Sequence, residues 1–427
     1  MSIGSRLRWM AAGAAALLLA ELLIVLAAWE GVGTRPPAPP EQAGIPFPWG
    51  AFDMDELPTD AESDLEASLL ESFDREPETE FDADGDGVRT YPLLALSGGG
   101  ANGAFGAGFL CGWTKAGTRP DFKVVTGVST GALQSTLAFL GPTYDDTLRK
   151  IYSYATEQIY KPRGVLSNLF NDAVNDTAPL AELIARHITA EVLEAVAEKH
   201  GRGHRLYVGT TNMDTREFVI WDMGKIAASG RPDALELYRK VLLASSSIPV
   251  LFPPVYIKVQ MDGREYHEMH SDGGISAQVF LRGFLLDFDD AFDHRRLKAE
   301  KAQVTLYVVQ NGNLAYGEFR ETLRPHKLAI ATAAIDSLIR ITISASLYRM
   351  YVLANRYGIE FNLSYLPTEV MHQLDPLDFD PEGMRRLFDA GYRMAATGYQ
   401  WHSHPPGLDA DEFFSEHAAD EAAEEDE

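Results

Sequence analysis

The five residues Gly127-Val128-Ser129-Thr130-Gly131 constrain this chain more than any other feature. They lie between an apolar run that reads as a buried strand, Phe122 to Val128, and a run that reads as a helix, Thr130 to Leu140. A serine at such a junction sits on a sharp turn. Flanking glycines remove Cβ atoms that would collide with strand or helix, and the helix N-terminus presents positive potential to the hydroxyl. The G-x-S-x-G string alone recurs by chance, but its placement after a buried strand makes Ser129 a candidate nucleophile.

The surrounding pattern extends this strand-to-helix unit into an α/β domain. Tyr91 to Leu96 reads as a first buried strand, and a helix of small residues follows it through Trp113. Helices are also read near Pro179 to His200, over Asp233 to Ser245, over His326 to Asn355 and over Pro381 to Trp401. Strands are read at Leu206 to Thr211, Phe218 to Trp221 and Val304 to Val309. Such alternation predicts a mostly parallel sheet with helices on both faces. No second linker divides the stretch from 87 to 404, so it reads as one domain.

Between the first strand and its helix lies Ser97-Gly98-Gly99-Gly100-Ala101-Asn102-Gly103, whose free N–H groups would point outward at a positive helix end. In acyl transfer such donors form an oxyanion hole, each contributing a few kcal/mol. The same glycines, Gly98, Gly100 and Gly103, satisfy the dinucleotide fingerprint, with Asp121 about twenty residues on. Asp121 precedes the next strand, however, whereas the ribose-binding acid belongs at its end. A plain tight turn is the third reading. Ser271-Asp272-Gly273-Gly274 is weak alone, because aspartate followed by glycines is chiefly a turn former.

Taken together and in this order, the three elements resemble the patatin-like phospholipase family. The matching residues are Leu96 through Gly103, Gly127 through Gly131, and Asp272-Gly273-Gly274. Ala244-Ser245-Ser246-Ser247-Ile248-Pro249 with Phe252-Pro253-Pro254 is similar to the helix-and-proline segment ahead of that family's aspartate. The resemblance spans roughly Tyr91 to Ile275. It implies a three-layer α/β/α fold with a mostly parallel central sheet. It also implies a Ser129–Asp272 dyad that cleaves lipid acyl esters through an acyl-enzyme. Gly98, Gly99, Gly100 and Ala101 would form the oxyanion hole, with Asn102, Gly103, Gly127, Gly131, Gly273 and Gly274 supporting the motifs. Asn102 stands where the family often carries Arg or Lys.

An unperturbed carboxylate, with a pKa near 4, is a poor base for a hydroxyl, so a dyad needs partial desolvation of its aspartate. A histidine would serve without such help. His267 and His270 shortly before Asp272, and His294 and His326 after it, keep a triad open on spacing alone. An acyltransferase on the same site, or a non-catalytic membrane-surface module that keeps the fold, are the alternatives to hydrolysis.

The termini speak to location. Arg6 and Arg8 precede an apolar stretch from Trp9 to Trp29, long enough to cross a bilayer. Glu21 at its centre costs about 3 kcal/mol, which the Leu, Ile and Val residues from Leu17 to Leu26 offset. Residues 1–30 therefore read as a signal anchor with the rest of the chain exported, on the periplasmic side in a bacterium. The alternative is a cleaved signal peptide and secretion. Residues 31–86 read as a Pro-rich and then acidic linker, and 405–427 as an acidic disordered tail. The net charge of -25 concentrates in those acidic stretches, and without a basic surface nucleic acid is excluded as a partner. The partners expected are an acyl-ester or membrane-lipid substrate and the membrane itself. No metal or cofactor is expected. Cys111 is the single cysteine. Asp82 to Gly87 mimics half a calcium loop, but the twelfth position is Leu93 rather than glutamate, so a solvated acidic turn is the expectation.

Overall fold

The computed structural model describes residues 35–40, 51–53, 64–77, 80–82, 88–164, 171–261, 263–281, 302–314, 327–367 and 376–408. The apolar N-terminal run, most of the calcium-like stretch, His294, His326 and the tail from 409 onward lie outside them. Among the described residues no helix is long and apolar enough to cross a membrane.

β1 (Ala51–Asp53) and α1 (Asp64–Arg75) precede the long strand β2 (Arg89–Leu96), which is buried from Tyr91 onward. α2 (Gly103–Ala116), β3 (Val124–Val128), α3 (Thr130–Leu140) and α4 (Asp145–Ile151) follow. The segment read as one helix from Pro179 to His200 is two, α5 (Ala178–His187) and α6 (Ala190–Gly201). The chain turns at Ile188, and Thr189 caps the second helix by accepting the Val192 N–H. β4 (Arg205–Asn212), β5 (Glu217–Asp222), α7 (Met223–Ala228) and α8 (Ala234–Ser245) lead to a hairpin, β6 (Val255–Met261) and β7 (Arg264–Asp272). β8 (Ala302–Gln310), α9 (Lys327–Arg356), β9 (Glu360–Tyr365) and α10 (Pro381–Ala396) complete the domain.

The nine strands form one mixed sheet in the order β1-β5-β4-β3-β2-β8-β9. The five strands from β4 to β9 along this path run parallel, while β5 and β1 extend the edge antiparallel. β7 joins the end of β4 antiparallel, through Thr210 opposite Asp272, and carries β6 on its other side. Successive side chains divide the core between the two faces. Leu94 and Leu96 of β2 pack with Phe105, Leu137, Val241 and Leu387 of α2, α3, α8 and α10. Tyr91, Leu93 and Ala95 pack on the opposite face with Leu69 and Phe73 of α1 and with Leu347 and Met350 of α9. The result is an α/β/α sandwich.

Two features fall inside the segment expected to be linker. α1 buries Leu69 and Phe73, an i, i+4 pair, under the sheet. Glu76 just beyond it accepts hydrogen bonds from Lys123 Nζ at 2.8 Å and from Tyr91 Oη at 2.8 Å, so one of the acidic residues is a buried counter-ion. Further upstream, Arg35 grips Asp214 with two bonds of 2.5 and 2.9 Å, and the His267 N–H of β7 donates to Pro37 O at 2.9 Å. The folded body therefore includes residues upstream of the position where composition changes, held by these few contacts.

Replacing Phe73, which is 1% exposed, by alanine should lower the unfolding free energy in urea by about 3–5 kcal/mol. A change within about 0.5 kcal/mol would mean that α1 is not part of the cooperative unit.

Candidate active site

The parallel strands β2, β3 and β8 end at the same edge of the sheet, and the candidate site lies there, where open α/β sheets bind ligands. Ser129 directly follows β3 and has φ 54° and ψ -124°, a region that a side chain rarely adopts. Such a turn costs on the order of 1–3 kcal/mol and persists only when neighbours enforce it. Here they do. A methyl on Gly131 would stand 2.3 Å from Leu96 O, and one on Gly127 2.5 Å from Gly131 O, so only glycines let helix and strand close on each other. The Ser129 N–H donates to Ser245 Oγ at 2.9 Å, and Ser245 Oγ donates onward to Gly209 O at 2.6 Å. Ser246 Oγ donates to Ser129 O at 3.3 Å. The serine run at the end of α8 thus braces the elbow, a role that sequence alone gave no sign of.

The same run positions Asp272. Its N–H donates to Ser247 O at 2.9 Å, and the Thr211 hydroxyl donates to its carbonyl at 3.0 Å. Asp272 Oδ1 accepts the Gly274 N–H at 2.7 Å, and a methyl on Gly274 would stand 2.2 Å from Gln278 Nε2 and 2.9 Å from that same oxygen. Gly273 is needed as well, since a methyl on it would meet Gly209 O at 2.5 Å. The Ser129 hydroxyl lies close enough to hydrogen-bond to the carboxyl and lower its pKa. That bond is loose, because Oδ2 is buried with no partner of good geometry. Burial is the larger influence. It raises the carboxyl to about 7, against the opposing hydrogen bonds from Ser129 and Gly274.

The glycine loop is narrower as a donor set than its sequence suggests. The N–H of Gly98 is spent on Gln278 O at 2.9 Å and that of Ala101 on Pro376 O at 2.8 Å, which corrects the expectation for those two residues. Among the described residues the N–H groups of Gly99 and Gly100 make no hydrogen bond. Gly98 still borders the nucleophile: a methyl on it would lie 3.3 Å from Ser129 Cβ. Asn311, just after β8, holds the loop by donating its Nδ2 to Ser97 O at 2.8 Å and its N–H to Ser97 Oγ at 2.7 Å. Asn102 is buried with Oδ1 unpartnered, and Gly103 O accepts Gln134 Nε2 at 2.5 Å.

Ser129 and Gly100 open into a cavity of about 840 Å³, part of it in contact with solvent. Its walls are chiefly aliphatic and aromatic, among them Leu133, Leu180, Leu183, Ile184, Ile248 and Phe252. His187 also lines it and bonds through Nε2 to Tyr154 Oη at 3.1 Å, with burial pushing its pKa down.

The histidines considered from sequence are engaged elsewhere where they are described. His270 is buried between Thr210 Oγ1 at 3.0 Å and Glu268 Oε2 at 3.3 Å, and the His267 imidazole lies 3.7 Å from Glu265 Oε1. Glu80, Asp121 and His204 bring three potential metal ligands together where β3 and β4 begin, at the opposite edge of the sheet from Ser129. Arg202 and Lys199 already pair with Glu80 and Asp121, so the group is an ion-pair network and not a cation cradle. Cys111 is buried, and its thiol is pushed up to about 12, chiefly by burial.

Three comparisons bear on this site. A family model described as patatin-like phospholipase matches residues 94–285, the span that carries all three motifs. Among solved structures, VipD from Legionella pneumophila aligns over 71% of this chain and 66% of its own, at 13% identity and a TM-score of 0.34. Human GIVD cytosolic phospholipase A2 aligns over 83% of this chain and 64% of its own, at 11% identity and a TM-score of 0.31. This chain thus spans just under two thirds of the length of either. No curated protein matches the sequence.

The raised carboxyl has a thermodynamic signature. With a folded-state pKa of about 7 against an unfolded value near 4, Asp272 contributes no penalty below pH 4, an increasing one between pH 4 and 7, and a constant one above. Asp272→Asn keeps the Gly274 bond and removes the buried charge. It should match the parent at low pH and exceed it at pH 8 by up to about 4 kcal/mol in urea unfolding. Equal stability at every pH would contradict the desolvated carboxyl.

Proposed function

Because residues 94–285 of this chain belong to the patatin-like phospholipase family, we propose that the protein hydrolyses carboxylic esters of lipids with Ser129 as nucleophile and Asp272 as its base. The observation that carries this reading is the buried Asp272 carboxyl, poised near pH 7 beside the Ser129 hydroxyl at the mouth of an apolar cavity. A base with its pKa near the operating pH combines a useful ionised fraction with real proton affinity.

In the proposed reaction Ser129 Oγ attacks the ester carbonyl while its proton passes to Asp272. The carbonyl electron pair moves onto oxygen, and the N–H groups of Gly99 and Gly100 accommodate that charge. Collapse of the tetrahedral species expels the alcohol, which takes the proton from Asp272 and leaves an acyl-enzyme. Water then repeats the sequence with Asp272 as base and releases the carboxylic acid. The cavity would hold the acyl chain, its few polar groups offering little to a charged head group. Residues 1–30 would tether the enzyme to a membrane with this domain exported. The docking of Arg35 and Pro37 on the sheet edge supports a short path between tether and domain.

A fluorophosphonate probe should label the protein, and Ser129→Ala should abolish both labelling and esterase activity. A fully active Ser129→Ala protein, or a parent that never labels, would favour a non-catalytic module. For the parent enzyme kcat/KM should rise with pH through about 7 as Asp272 ionises, and Asp272→Asn should lose at least about a thousandfold. A flat profile from acid to neutral pH would remove Asp272 as the base. Across p-nitrophenyl esters of increasing chain length, kcat/KM should climb by up to about fourfold per methylene until the cavity is filled. A preference for acetate over longer chains would contradict the acyl role of the cavity.

A further inference from the structure

α9 is thirty residues long, yet only its C-terminal part is packed. Leu347, Met350, Tyr351 and Ala354 are buried, whereas no described residue from Ile330 to Ser346 is. Ile343 is the first side chain to reach the core, partly buried, so at 1.5 Å per residue about 20 Å of helix, from Ile330 to Thr342, lies beyond the packing contacts. The outward side of that stretch is not polar, as a solvated helix face should be. Ile330, Ala334, Leu338, Ile341, Ala345 and Val352 recur every three, four or seven residues on one side, all exposed. The four large ones among them are 55–65% exposed.

Two observations say what covers this face. In a chain with a net charge of -25, α9 carries Lys327, Arg340, Arg349 and Arg356 against Asp336 alone, and the three arginines are exposed. An apolar stripe flanked by cations in an otherwise acidic protein complements an anionic lipid surface. It does not complement another copy of itself, since pairing two such helices would set their excess cations against each other. α9 also packs against the turn Gly273–Ile275, directly after Asp272, so a surface that receives the helix lies within reach of the site. α9 is not apolar enough to span a bilayer, so a lipid surface would receive it in the interfacial plane.

We propose that the exposed face of α9 is a bilayer-docking surface, inserted among the acyl chains of an anionic leaflet and separate from the N-terminal tether. Its geometry stands without the proposed hydrolysis; its purpose, presenting the Ser129 cavity to lipid, rests on that reading.

The test uses the full-length protein with Ile341→Cys carrying an environment-sensitive fluorophore, the native Cys111 thiol being buried and unreactive. With vesicles of phosphatidylglycerol and phosphatidylcholine, emission should shift to the blue and be quenched at least about twofold by spin-labelled acyl chains. An aqueous spectrum from protein that co-sediments with the vesicles would overturn the proposal. So would a shielded label that lipid spin labels do not quench and that forms disulfide dimers when left unmodified, since α9 would then face a second copy. Replacing the exposed pair, Leu338→Glu with Ile341→Glu, should lower turnover of vesicle-borne ester at least about tenfold and leave a soluble short-chain ester unaffected. Equal loss on both substrates, or no loss on either, would overturn it as well. If the parent turns over neither ester, the hydrolase reading fails and the fluorophore still decides the docking.

Discussion

The carboxyl of Asp272 is withdrawn from water at the point where a hairpin strand meets the end of the parallel sheet, and the rest of the site depends on that withdrawal. Burial raises it to about 7, and a single close hydrogen bond, from Gly274, fixes its direction. The fold carries the cost. β7 must reach across β4 to deliver the residue, Thr211 and Ser247 must hold its backbone, and Gly273 and Gly274 must leave room for the turn. A more solvated aspartate would be easier to fold around and weaker as a base, the usual opposition between a stable site and a reactive one.

Ser129 is constrained in a complementary way. Its backbone is strained, and the restraint comes from three consecutive serines at the end of α8, which bond both to the elbow and to the strand that bears Asp272. Nucleophile and base are therefore referenced to one short segment. This shared support explains how two residues far apart in the chain are held within hydrogen-bonding reach of each other.

The elbow, the glycine loop and the Asp-Gly-Gly turn were legible in sequence because each needs glycine for a local steric reason. The buried runs of β2, β3 and β8 were legible because strands covered on both faces are continuously apolar. What sequence hid was tertiary. Gly98 and Ala101 look like free donors until Gln278 O and Pro376 O take their N–H groups. β7, which reads REYHEMHSD, carries too many charges to resemble a buried strand, although the alternation of Val255, Ile257 and Val259 in β6 was there to be used. α1 was hidden by its acidic composition, although Leu69 and Phe73 are committed to the core. His187 carried no signal, and the three serines were visible only as part of a family-like segment, their bracing role coming from packing alone.

The proposed chemistry stands most directly on the protonation state of one side chain. Isotope-edited infrared spectroscopy of protein with labelled aspartate can follow the carboxylic-acid carbonyl band during a pH titration. The expected result is one protonated aspartate that ionises with a midpoint near 7 and is missing in Asp272→Asn. If no aspartate band titrates above about pH 5, the carboxyl is an ordinary solvated one and the proposed base is absent.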